Sequence, residues 1–78
     1  MPGPTRLNKV RDFRKPAKFT QAELGSVAGV SRQSIVSIER GDYAPSVYLA
    51  LRLAQALNTT VETLFPMDEF PMDEEREK

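Results

Sequence analysis

The residues best equipped for recognition chemistry stand together at Ser31-Arg32-Gln33-Ser34. Arginine's fork of donors matches the major-groove edge of guanine, and glutamine's amide matches that of adenine. A helix start also offers free backbone amides to phosphate. The segment reads as the first turn of a helix capped by Ser31, where the helix dipole favours a carboxylate. No acid occurs there until Glu39. An arginine set against its own dipole is best accounted for by an external anion as neighbour. The same residues also suit an ordinary exposed turn after a cap, so residue types alone leave both readings open.

Composition removes most other chemistries. The 78 residues contain no Cys and no His. Disulfides, thiolate metal sites and cysteine nucleophiles are excluded, and the commonest general base and metal ligand is missing. No catalytic residue, metal site or cofactor is expected. An enzyme would need paired carboxylates in a pocket, and most acids here cluster near the C-terminal end. The net charge of zero conceals a division. Residues 1–40 hold eight basic and three acidic residues, net +5, whereas residues 41–78 hold three basic and eight acidic, net −5. Such a chain can present a basic face to an anion while its bulk charge stays near neutral. No apolar run approaches the roughly 20 residues that span a bilayer, and Met1-Pro2-Gly3-Pro4 lacks the apolar stretch of a secretory signal. A cytoplasmic protein of one small domain, with no membrane partner, is expected.

The elements that must position Arg32 and Gln33 follow from periodicity and caps. Val10 and Phe13 lie three apart in Asn8 to Arg14, which reads as a short amphipathic helix starting as early as Thr5. Pro16 is expected to end it by pushing Lys15 out of the α region. Thr20-Gln21-Ala22-Glu23 is a capping box that opens a second helix, ended by Gly29. Ser31 caps a third, with Ile35 and Ile38 on its buried stripe and Gly41 at its end. Two helices joined by so short a turn must cross steeply, and Gly25 leaves room on the second for close approach. Ser46 caps a fourth helix to Leu57 that is apolar over more than one face. Thr60 caps a brief fifth, closed by Pro66, with Val61, Leu64 and Phe65 as its apolar contacts.

The segments Thr20-Gln21-Ala22-Glu23-Leu24, Ala28-Gly29-Val30-Ser31-Arg32-Gln33-Ser34-Ile35, Ile38-Glu39-Arg40-Gly41 and Pro45-Ser46 together resemble the phage Cro/repressor (XRE-type) helix-turn-helix family. The resemblance extends over residues 8–65. It implies an all-α fold, a compact five-helix lambda-repressor-like DNA-binding domain whose helix-turn-helix is formed by the second and third helices. It further implies a sequence-specific transcriptional regulator, a repressor, that reads the major groove of a palindromic double-stranded DNA operator as a homodimer. Carried across by position, the base-reading residues are Arg32, Gln33 and Ser37, and the DNA-backbone contacts are Gln21, Ser31 and Arg40. The family also pairs an arginine late in the first helix with a glutamate late in the third, here Arg14 and Glu39, as a structural ion pair. Two positions depart from the pattern. Pro16 interrupts a helix that relatives continue, which suggests an extended basic loop over residues 14–18, and Asp42 stands where a lysine is common. Arg40-Gly41-Asp42 also spells a cell-adhesion tripeptide, but it spans a helix cap.

Apolar surface on the fourth and fifth helices exceeds what such short neighbours can cover, so a dimer interface is expected at Val61, Leu64 and Phe65 with the end of the fourth helix. The expected division is a flexible N-terminus over 1–7, the DNA-binding domain over 8–65 and an acidic, flexible tail over 66–78. Phe65-Pro66-Met67-Asp68-Glu69 is repeated without change as Phe70-Pro71-Met72-Asp73-Glu74. The repeat reads either as an arm that docks on a partner or as a duplicated solvated tail. The alternative function is an antitoxin or protein-binding adaptor on the same scaffold, contacting a protein partner through the C-terminal part. An adaptor that had lost DNA binding has no need of the polar Arg32, Gln33 and Ser37.

Overall fold

A computed structural model of the chain describes residues 8–67. The expected flexible N-terminus (1–7) and residues 68–78 of the expected acidic tail, with the second copy of the repeat, lie outside the described residues. Five helices follow in order: α1 (Val10–Arg14), α2 (Gln21–Ala28), α3 (Arg32–Arg40), α4 (Val47–Ala56) and α5 (Val61–Leu64). No strand occurs among the described residues.

Short polar side chains start four of these helices. Thr20 and Glu23 close the capping box in both directions, at 3.0 and 2.8 Å. Ser31, Ser46 and Thr60 each accept one backbone amide at 3.1 Å. Every such bond satisfies an N–H that lacks a helical partner. The helix ends are equally defined. Gly29 sits in the left-handed region at φ 82°, while Val30 N donates to Gly25 O at 2.8 Å and Gly29 N to Ser26 O at 3.3 Å. This pair of closing bonds is the Schellman motif. Gly41 and Asn58 close α3 and α4 in the same way.

The first helix corrects the sequence reading. It begins at Val10, and Pro16 does not drive Lys15 out of the α region, for Lys15 holds φ −63° and ψ −49°. Residues 14–18 are not extended. The helical turn continues to Lys18, in the left-handed region at φ 67°, and is closed by Phe19 N→Arg14 O at 3.3 Å and Lys18 N→Lys15 O at 2.9 Å. Proline near a helix end orphans one carbonyl, here that of the exposed Asp12, which water can satisfy. The closing bonds outweigh the steric preference of the residue before proline.

Val10, Leu24, Ala28, Ile35, Ile38, Leu53 and Leu64 are fully buried in one core. Only Gly29, Val30 and Ser31 separate α2 from α3. Gly25 makes that turn possible, because a Cβ there would lie 2.8 Å from the Val30 carbonyl oxygen and 3.1 Å from that of Ser31. The space admits hydrogen alone. Arg52 on α4 donates to the Ala28 carbonyl at 3.4 Å, at the negative end of the α2 dipole. Asn8 Nδ2 donates to Ile38 O at 2.9 Å, and Lys9 N donates to Leu64 O at 2.8 Å, joining the first helix to the third and fifth.

Leu64 is therefore not a surface residue. The expectation that it meets a second subunit with Val61 and Phe65 is corrected: it is wholly buried within its own chain, while Val61 and Phe65 remain half-buried at the rim. The uncovered surface of α4 also lies at the opposite end from that expected. Leu53, Ala54 and Leu57 are buried, but Val47, Tyr48 and Leu51 keep 74, 79 and 50% of their surface exposed. A four-residue helix is about 6 Å long and a ten-residue helix about 15 Å, so α5 can cover only part of α4. Pro45, Val47, Ala50, Leu51, Val61 and Phe65 line the resulting apolar groove of about 480 Å³.

Candidate nucleic-acid interface

At 3.6 residues per turn, burial of Ile35 and Ile38 turns Arg32, Gln33, Val36, Ser37 and Arg40 onto one arc of roughly 140°. Arg32, Gln33 and Arg40 on this arc are exposed, and Val36 and Ser37 are half-exposed. Neither Arg32 nor Gln33 spends its side chain on a hydrogen bond or ion pair among the described residues. Ser31, at the start of the arc, caps α3 through its Oγ, which also lies 3.2 Å from Ser34 Oγ. No acid stands in the first turn of α3.

Depressions border the arc on both sides. One, of about 430 Å³, lies between helices and is lined by Arg11, Arg14, Gln21, Val36, Glu39 and Arg40 among others. The other, of about 240 Å³, is lined by Ser31, Gln33, Ser34, Ser37 and Tyr43. The first is basic and the second hydroxyl-rich, both suited to an anionic, hydrogen-bonding partner.

Beneath the basic depression Arg14 and Glu39 form a nearly buried ion pair, with side chains 11 and 5% exposed. Arg14 Nε donates to Glu39 Oε2 at 2.6 Å and its second amino group to Oε1 at 3.3 Å. The remaining guanidinium nitrogen donates to Phe19 O at 2.9 Å. Gln21 Nε2 donates to Glu39 Oε1 at 3.2 Å, which leaves one amide hydrogen for a partner outside the chain. The pair thus joins α1 to α3 and aims the first residue of α2. At the far end of the arc Arg40 Nε lies 3.4 Å from Asp42 Oδ2, with both side chains exposed.

The structure therefore brings Gln21, Ser31, Arg32, Gln33, Ser37 and Arg40 onto one side of the molecule, around α3. Val61 and Phe65 belong to the separate groove on α4 and α5. Three residues of this candidate surface were not singled out from sequence. Val36 lies mid-arc and was legible from the period set by Ile35 and Ile38. Arg11 and Tyr43 reach the two depressions from α1 and from the loop after α3, and no sequence spacing announces either.

A helix-turn-helix family model matches residues 10–64, which contain all five helices. The chain belongs to the XRE-type helix-turn-helix family. It is a DNA-binding transcription regulator of the Cro/repressor type. The uncharacterised HTH-type transcriptional regulator YgzD of Bacillus subtilis (strain 168) is 40% identical over 62 residues, 80% of this chain and 94% of its own. The P22 c2 repressor, solved in complex with a synthetic operator, superposes with a TM-score of 0.72 at 34% identity, over 74% of this regulator and 88% of that chain. The restriction-modification controller protein C.AhdI of Aeromonas hydrophila gives 0.68 at 30% identity, over 73% and 83%. No helix among the regulator's described residues is long and apolar enough to cross a membrane.

Proposed function

We propose that the regulator is a sequence-specific repressor that lays α3 in the major groove of a palindromic operator and acts as a homodimer in the cytoplasm. The observation that carries this reading is the exposed pair Arg32 and Gln33, without a side-chain partner among the described residues, on an arc bordered by a basic and a hydroxyl-rich depression. Arg32 and Gln33 take base edges, Ser37 adds a hydroxyl to the same edge, and Val36 offers a methyl surface to thymine. Gln21, held by Glu39, directs its second amide hydrogen at a phosphate, and Ser31 and Arg40 contact the strand at the two ends of α3. No cofactor enters this scheme.

The dimer joins the exposed starts of two α4 helices. Val47, Leu51, Val61 and Phe65 would supply the apolar patch that a two-fold interface pairs with its own copy. Such a dimer spaces its recognition helices roughly 34 Å apart, one turn of duplex. A second reading, an antitoxin or adaptor on the same scaffold, draws on the same groove as the seat of a different protein. Selection of bound sequences from random duplexes tests both. A palindrome with half-sites one turn apart is expected; a single unrepeated half-site, with a monomer in solution, favours the second reading, and no enrichment refutes sequence-specific binding.

A further inference from the structure

Asp42 has no part in the function so far, and the geometry of Arg40-Gly41-Asp42 supplies one. Gly41 occupies the left-handed position that ends α3, with its amide on Ile38 O at 3.0 Å, and the Asp42 amide donates to Ser37 O at 3.0 Å. These closing bonds set where the Asp42 carboxylate projects, back toward the last side chain of the helix. There it meets Arg40 Nε at 3.4 Å. Arg40 also lines the basic depression beside the exposed arc of α3.

The two ion pairs of this surface differ in kind. Arg14 and Glu39 are nearly buried and bind helices together. Arg40 and Asp42 are both exposed, where a pair contributes little to stability and opens readily. Resting on the reading of α3 as the duplex-facing helix, we infer that Asp42 is an intramolecular competitor of DNA phosphate for Arg40, lowering the affinity of the regulator for every duplex alike.

Two effects act together. The pair must open before Arg40 can bind a phosphate, and the released carboxylate then stays close to that phosphate. A phosphate held by Arg40 falls well inside the Debye length of about 10 Å, so the repulsion is not screened out at moderate salt. A phosphate contact carries no base information, so affinity changes and sequence preference does not. Non-specific and specific binding are lowered by the same factor, and the ratio between them stays with the bases that Arg32 and Gln33 meet.

The test uses the full 78-residue chain, with Asp42→Asn, Arg40→Gln and the double variant titrated by fluorescence anisotropy against a random-sequence duplex and a selected site at several salt concentrations. Asp42→Asn is expected to tighten both duplexes by a similar factor, roughly 3–10-fold, and to steepen the salt dependence by up to about 0.9 in log–log slope. The gain must be clearly smaller in the Arg40→Gln background, where only the repulsion remains to be relieved. Asp42→Ser, which also keeps the closing backbone amide, must behave alike, and thermal melts check that both variants fold. Unchanged affinity of a folded Asp42→Asn, beside an unmodified protein that binds duplex, overturns the inference, as does an equal gain without Arg40. If neither the unmodified chain nor the Asp42 variants bind duplex, the reading of α3 itself is refuted.

Discussion

Replacing Glu39 by alanine would strip the Arg14 guanidinium of its acceptors on the carboxylate and leave it nearly buried with the Phe19 carbonyl alone. Breaking a buried pair from one side costs about 3–5 kcal/mol, because the surviving charge is neither solvated nor neutralised. A domain of this size is stable by only about 3–9 kcal/mol, so Glu39→Ala should be close to unfolding at room temperature. At roughly 4–8 °C per kcal/mol, the midpoint should fall by about 12–40 °C. Arg14→Met combined with Glu39→Leu should recover part of the loss, since apolar replacement of a whole buried pair is often neutral or stabilising. Recovery stays incomplete, as Phe19 O loses its donor at a cost of about 1–3 kcal/mol. Urea titrations followed by circular dichroism measure all three proteins. A loss below about 1 kcal/mol for Glu39→Ala, or a double variant no more stable than the single one, would show that the pair does not hold α1 to α3.

Arg32→Ala and Gln33→Ala should each weaken binding to a selected site by about 1–3 kcal/mol with little change on random duplex, and equal losses on both would count against base reading. Gly25→Val must push the Val30 carbonyl away and should cost about 1–3 kcal/mol in urea unfolding, whereas unchanged stability would mean that the turn can yield. Leu51→Asp alters a half-exposed residue of the α4 groove and should yield a folded monomer with weaker operator binding. Sedimentation of the unmodified protein as a monomer at tens of micromolar, or of the variant as an unchanged dimer, would place the interface elsewhere.

What the sequence determines by itself is local. The caps Thr20, Ser31, Ser46 and Thr60 and the stops Gly29 and Gly41 act on amides and carbonyls a few residues away, so their consequences are legible along the chain. The alternation of Ile35 and Ile38 with Arg32 and Gln33 likewise fixes which side of α3 is exposed before any neighbour is known. Tertiary structure decided what depends on distant partners. Leu64 went to the core, where its carbonyl accepts from the amide of Lys9, 55 positions away. The bare end of α4 proved to be its beginning, since coverage depends on where the single turn of α5 comes to lie. α1 ends at Arg14, yet Lys15 kept α-region dihedrals ahead of Pro16, where bonds from Lys18 and Phe19 close the following turn. Arg11 and Tyr43 line the two depressions beside α3, a proximity set by how helices and loops pack across the core and carried by no spacing in the chain.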